Sequence, residues 1–346
     1  MHNFQCDYTE GAHPNIIDAL VKTNMEQTSG YGADAYCESA KAKIRAACGA
    51  PDADVHFLVG GTQTNTTVIS SVLRPYQGAV CAAEGHIAVH ETGAIEATGH
   101  KVLPLPCKNG KITAAQVKDC FARHYASETA EHEVQPGMVY ISYPTECGTI
   151  YTRDELAAIH AVCAEYDVPL FVDGARLGYG LADPNCDVTL AEFTSLCDIF
   201  YIGGTKCGAL FGEAVVIMNK KYARDFRYLI KRHGGMFAKG RLLGIQFDTL
   251  FTDNLYLNIT RGAVEKALRI RRAFEARGIS FFGSSMTNQQ FPVLTDAQIA
   301  FLSKNSLPEF WCEAEDGKKV VRFCTSWATD DESVDTLVND IAKMEI

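Results

Sequence analysis

Two stretches, Leu170-Phe171-Val172-Asp173-Gly174-Ala175-Arg176 and Ile199-Phe200-Tyr201-Ile202-Gly203-Gly204-Thr205-Lys206, leave this chain few ways to fold. Each begins as a short unbroken apolar run, the pattern of a strand buried on both faces. Each then breaks at glycine, the first just after a carboxylate and the second just before an amine. Lying parallel in one sheet, the two strands deliver Asp173 and Lys206 to the same carboxyl edge, where open α/β sheets take ligands. An acid and an amine facing one pocket suit a pyridine cofactor, with the lysine condensed to its aldehyde and the aspartate paired with its ring nitrogen.

The rest of the pattern agrees with an α/β fold. Strand runs are expected at 56–59, 79–82, 101–106, 138–142, 169–172, 199–202 and 214–218. Helical spacing fills 13–24, 35–48, 63–73, 113–125, 152–166, 220–232 and 242–251, and this alternation predicts a mainly parallel seven-stranded sheet. Thr152 with Glu155 three residues later is a capping box. A long helix over 256–277, closed by Gly278, bridges to a smaller α+β part. That part holds strands near 279–282, 290–293 and 320–324 and helices over 295–304 and 331–344. The expected division is an irregular arm over 1–12, a large cofactor-binding domain over 13–254 and a small C-terminal domain over 255–346.

With 346 residues there is room for one large core and a second lobe. A net charge of −10 argues against a nucleic-acid partner, which needs clustered Lys and Arg. No apolar stretch approaches the ~20 residues that cross a bilayer, and the first residues carry no basic-then-apolar leader, so no membrane partner is expected. The 13 cysteines are scattered without a C-x-x-C pair, which reads as free thiols in a reducing cytoplasm.

Several further residues carry chemistry. After the strand at 56–59 comes Gly60-Gly61-Thr62-Gln63-Thr64-Asn65, then a helix. Gly61, Thr62 and Gln63 at that helix start can receive a phosphate on free N–H groups, although an ordinary βα turn has the same composition. Neither G-x-x-x-x-G-K-[ST] nor G-x-G-x-x-G is present, so this is not a nucleotide loop. His86 and His90 share a helix face at zinc-ligand spacing, but no third ligand accompanies them and no metal is expected. Glu146, after the strand at 138–142, serves either as a proton acceptor with a raised pKa or as a structural carboxylate. Arg322 alternates with apolar residues on a strand and so needs an anion, either the substrate's carboxylate or a structural Asp or Glu.

Taken together, D-G-A-R, T-K-x-G and the glycine turn resemble the fold-type I pyridoxal-phosphate enzymes, and within them the threonine aldolase / β-eliminating lyase family. The likeness runs from Asp7 to about Trp327. It implies pyridoxal 5'-phosphate on Lys206, a histidine at Gly85-His86 lying flat on the ring, and Arg176 reaching the substrate carboxylate or ring hydroxyl. Cys6-Asp7-Tyr8-Thr9 is similar to the family's S-D-T-x-T opening, which implies a substrate-side role for Asp7. Val321-Arg322-Phe323-Cys324-Thr325 is similar to I-R-x-V-T, whose arginine holds the substrate α-carboxylate. Two departures stand out. Pro144-Thr145-Glu146 replaces a loop carrying a histidine proposed as base, and Phe237 stands where an arginine reaches a neighbouring subunit's phosphate. Lys239 and Arg241 are candidates to replace that arginine, unless they only form a solvated face. The resemblance implies retro-aldol cleavage of threonine or allo-threonine by a homo-oligomer, dimer or tetramer. Its rivals are β-elimination or transamination on the same cofactor and, further off, a non-catalytic cofactor-binding protein.

Overall fold

Seven apolar segments, each bounded by glycine, proline or a polar turn, make the central sheet: β1 Asp54–Leu58, β2 Gln77–Ala82, β3 Lys101–Leu105, β4 Gln135–Ser142, β5 Leu170–Asp173, β6 Ile199–Gly203 and β7 Glu213–Ile217. The computed structural model describes residues 1–345. The strand order is β1-β7-β6-β5-β4-β2-β3, all parallel except β7, which runs against both of its neighbours. The seven runs read from the sequence are the seven strands found.

Alternation along the central strands sorts their side chains into two layers. Val139, Ile141, Leu170, Val172, Phe200 and Ile202 join one core. Tyr140, Phe171 and Tyr201 join the other. Each of these aromatic rings is fully buried and contributes about 1.5–3 kcal/mol by leaving water. Asp173 follows Val172 and therefore shares the face of Tyr140 and Tyr201. Gly174 and Gly203 let the ends of β5 and β6 cross closely: a Cβ on Gly174 would collide with the Tyr201 carbonyl oxygen, and one on Gly203 with that of Ala175.

The helix Leu255–Ala276 leads to a smaller antiparallel sheet, in which Lys319–Cys324 pairs with Val293–Leu294, Glu309–Glu313 and Gln289–Gln290. In this smaller part three details differ from the sequence reading. The run expected as one strand over 290–293 is split, because Pro292 brings no N–H to a ladder. The stretch expected over 279–282 makes only a single bridge, Phe281 with Pro292. Glu309–Glu313 is a strand that the sequence reading leaves unassigned; it is half-exposed and bulged between Phe310 and Cys312, so its alternation is weak. The basic helix expected over 220–232 is also broken. A 3₁₀ turn covers Lys220–Tyr222, and α-helix begins only at Phe226, after Asp225 with φ of +59°.

The N-terminal segment, expected as an irregular arm, is tied down. His2 and Asn3 pair with Ser306 and Leu307, Phe4 is buried in the small core, and the Phe4 carbonyl accepts from the Cys324 N–H at 2.7 Å. This tether carries Asp7 into the site.

Candidate active site

Because β1, β2, β4, β5 and β6 all point the same way, the segments that follow them leave from one edge of the sheet. Those segments carry Gly60–Gln63, His86, Glu146, Arg176 and Lys206. The small sheet faces this edge across a cleft of about 700 Å³, whose lining includes His86, Glu146, Arg176, Lys206, Trp311 and Arg322.

Asp173 is the most fully supported group. Its Oδ1 accepts from the Tyr201 hydroxyl at 2.5 Å and the Ala175 N–H at 3.0 Å. Its Oδ2 accepts from the Tyr140 hydroxyl at 2.6 Å and Asn65 Nδ2 at 3.1 Å. Burial favours the neutral acid, but the His86 charge and these donors outweigh it and hold the carboxyl below its usual range. A buried carboxylate kept ionised is what a protonated pyridine nitrogen needs beside it. For Lys206, burial and the Arg176 charge push the amine below its ordinary value, against the pull of Asp7, Asp173 and Glu213. A larger neutral fraction makes it a better nucleophile toward an aldehyde.

His86 Nδ1 donates to Glu91 Oε1 at 2.8 Å, and Asn65 Nδ2 donates to that same oxygen at 2.7 Å. Thus Asn65 joins the His86–Glu91 pair to Asp173. Burial alone would lower the His86 pKa; the Glu91 bond and the Asp173 charge raise it. His86 and His90 rings lie 5.6 Å apart, and no third ligand joins them in a metal site among the described residues. Glu146 Oε1 accepts from the His86 main-chain N–H at 2.9 Å and the Ser142 hydroxyl at 2.7 Å, while burial pushes its pKa up.

The helix Gly61–Val72 starts at Gly60 with no side-chain cap, so the N–H groups of its first turn face outward. A Cβ on Gly61 would lie 3.3 Å from the Tyr201 hydroxyl, close enough to fill the cradle. The Gln63 side chain turns out to be engaged elsewhere: its oxygen accepts from the Val59 N–H at 3.1 Å and its amide donates to the His233 carbonyl at 3.0 Å. Only its main chain remains for a phosphate. Arg241 is likewise committed, to the carbonyls of Thr23 and Glu26, which removes it as a substitute for the arginine missing at Phe237. Lys239 is exposed.

Asp7 and Arg176 engage each other rather than pointing separately into the cleft. Arg176 Nε donates to Asp7 Oδ2 at 2.7 Å and Nη2 to Oδ1 at 3.0 Å, with Asn288 Nδ2 adding a third bond at 2.9 Å. Burial would raise the Asp7 pKa; the Arg176 and Lys206 charges and these bonds hold it at about 2. Arg322 differs. Nη1 donates to Gln289 Oε1 at 3.0 Å, Nη2 to the Gln5 carbonyl at 2.6 Å, and the guanidinium lies 5.6 Å from the Trp311 ring centre. These partners are neutral, and the buried Nε has none.

Sequence reasoning missed Asn65, Glu91, Tyr140, Tyr201 and Gln289. Tyr140 and Tyr201 were within reach, since strand alternation places both on the face of Asp173. The others come from segments whose neighbours only the tertiary fold supplies.

The beta-eliminating lyase family model matches residues 3–291. The chain belongs to that family. It is 43% identical to a threonine aldolase from Leishmania major, with TM-score 0.96 and 99% of each chain covered. A low specificity L-threonine aldolase from Pseudomonas aeruginosa is 29% identical over 98% of this chain and 96% of its own length. An aspartate aminotransferase variant from Thermus thermophilus, at 13% identity and TM-score 0.71, shares the fold. The site's donors fit pyridoxal phosphate: an uncapped helix start for its phosphate, an ionised Asp173 for its ring nitrogen and a deprotonation-prone Lys206 for its aldehyde.

Proposed function

We propose that this protein is a pyridoxal-phosphate-dependent aldehyde-lyase that cleaves threonine and related β-hydroxy-α-amino acids to glycine and an aldehyde. The observation that carries the reading is Lys206 facing Arg322, a cation held only by neutral groups, across the cleft, with the buried Asp173 near enough to act on the Lys206 charge. The full-length likeness to a threonine aldolase at 43% identity supports the choice of substrate.

When bound, the cofactor withdraws the electron pair that a broken bond leaves on the substrate Cα. The protein selects which bond breaks. Arg322 takes the α-carboxylate with fork geometry and so sets the rotation about the Cα–N bond. Arg176, neutralised by Asp7, forms a fixed part of the wall rather than a second carboxylate binder. His86, steered by Glu91, covers the ring face and takes the β-hydroxyl proton, whereupon the Cα–Cβ bond breaks and the aldehyde leaves. A proton then returns to Cα, giving glycine. Glu146 fixes His86 through its main-chain N–H. Gly61, Thr62 and the Gln63 main chain receive the phosphate.

The same reading includes a homo-oligomer, supported by exposed Ile17, Val21 and Met25, spaced four apart on and just past the helix Pro14–Thr23. A reducing, cytoplasmic setting is supported by thirteen free cysteines. No helix among the described residues is long and apolar enough to cross a membrane. Incubation of the loaded protein with L-threonine tests the reaction: acetaldehyde and glycine in equal amounts are expected. Production of 2-oxobutanoate and ammonia would mark β-elimination, and a requirement for a keto-acid acceptor would mark transamination.

A further inference from the structure

Glu213 stands at the site edge for a topological reason. Because β7 runs against the other strands, its first residue lies where β1 and β6 end, opposite Leu58 and Gly203. A glutamate at the head of a strand whose five residues are all buried is costly unless donors meet it. Both of its oxygens are met, and by one turn. Oε2 accepts from the Gly204 N–H at 3.0 Å and Oε1 from the Thr205 hydroxyl at 2.8 Å. Thr205 Oγ1 in turn accepts from the Gly212 N–H at 3.0 Å, and the Gly212 carbonyl accepts from the N–H groups of Gly204 and Thr205. The next residue is Lys206.

We propose that Glu213 is a positioning residue for Lys206: it clamps the Gly204–Thr205 turn that presents the amine and, once ionised, adds a negative field that holds a proton there. The inference rests on the reading of Lys206 as the cofactor's anchor. A turn stitched by five hydrogen bonds fixes where the lysine stem starts, and displacement of a reacting group by ~1 Å costs on the order of 10²-fold in rate.

The electrostatics agree with the geometry. Lys206 is faced by Arg176, which repels its charge, and by Asp7, Asp173 and Glu213, which attract it. From the segment after β2, His86 and His90 feel the Lys206 charge, and Nζ lies 5.8 Å from the Tyr8 ring centre. Burial raises the Glu213 pKa to about 8, against the Thr205 bond and the Lys206 charge. Asp173, Tyr201, Tyr256 and Cys207 also lie in its titratable surroundings. Acid and amine therefore titrate as a pair.

The test is the rate at which cofactor-free full-length protein captures pyridoxal phosphate between pH 6 and 10, since capture follows the neutral fraction of Lys206. Removing the negative charge in Glu213→Gln is expected to move the midpoint ~1 unit toward acid and to speed cofactor release, the first being a change that a purely structural role would not produce. Thr205→Val removes both hydroxyl bonds of the clamp and leaves the Glu213 carboxyl in place, so it is expected to speed release while moving the midpoint less than Glu213→Gln does. Wild-type midpoint and release in Glu213→Gln overturn the proposal. Should that variant not fold, wild-type release in Thr205→Val overturns the clamp, and accelerated release supports it. Absence of capture by the wild type would instead bring down the functional reading, and this inference with it.

Discussion

Asp173, buried at the sheet edge, and Arg322, on the opposite wall of the cleft, differ in how completely the chain has answered their charges. Asp173 receives four donors and sits locked between β4 and β6. Arg322 gives two hydrogen bonds to neutral acceptors and leaves Nε buried without a partner. The Arg176–Asp7 pair belongs with Asp173: an ion pair already closed within the chain. The difference separates two tasks. On the proposed function, the sheet edge is finished in advance for a cofactor that needs rigid anchors, whereas the small-sheet wall keeps an open charge for a substrate anion that comes and goes.

The comparison breaks most completely at the sheet edge. Lys206→Ala is expected to bind no cofactor covalently and to release acetaldehyde no faster than free pyridoxal phosphate does, checked by absorbance and by aldehyde assay. On the opposite wall, Arg322→Ala should leave cofactor capture intact and raise the KM for threonine by roughly 10²-fold, the scale for losing one partner of a buried charge pair. Arg322→Lys should fail to rescue it, because an ammonium cannot reproduce the fork. Equal loss of cofactor and substrate affinity in these variants would erase the distinction between the two walls.

The closed pair sharpens the comparison through stability. Asp7→Asn is expected to cost about 3 kcal/mol in a urea titration at neutral pH. The folded Asp7 pKa, about 2, lies below its unfolded value, so the stability it supplies is present above that unfolded value and is lost as pH falls toward 2. The acid slope of the wild type should be reduced in Asp7→Asn. A smaller effect is expected from Gln289→Leu, which unpairs Arg322 Nη1: a KM rise of about 5–10-fold, equivalent to roughly 1 kcal/mol. For His86 the sign runs the other way. Its pKa is raised, so kcat/KM should climb with pH above the ordinary imidazole midpoint of about 6.5, and Glu91→Gln should move that rise toward acid. Smallest of all, Thr152→Ala, at a capping box remote from the cleft, should cost about 1 kcal/mol of stability and leave kinetics unchanged.

How far these residues were legible in the sequence follows from where their partners lie. The seven strands were plain because strands buried in a sheet are nearly continuous apolar runs. Lys206, Asp173 and the glycine turn were plain because a strand end marks its own edge. Glu309–Glu313 was hidden because a half-exposed, bulged edge strand carries little alternation. Asp7 was read as a substrate contact because nothing local shows that Arg176, 169 positions away, closes on it. Gln63 was drawn into the phosphate cradle by its position, while the His233 carbonyl that claims its amide belongs to a distant loop. Glu91, Asn65 and Glu213 share that reason: each acts on a group brought near by the fold rather than by spacing along the chain.

Which side chain holds the cofactor aldehyde decides whether Lys206 and Asp173 form one site. Protein loaded with pyridoxal phosphate, reduced with borohydride, digested and mapped by mass should carry the pyridoxyl group on Lys206 alone. Label on another lysine, or on none, would contradict that assignment.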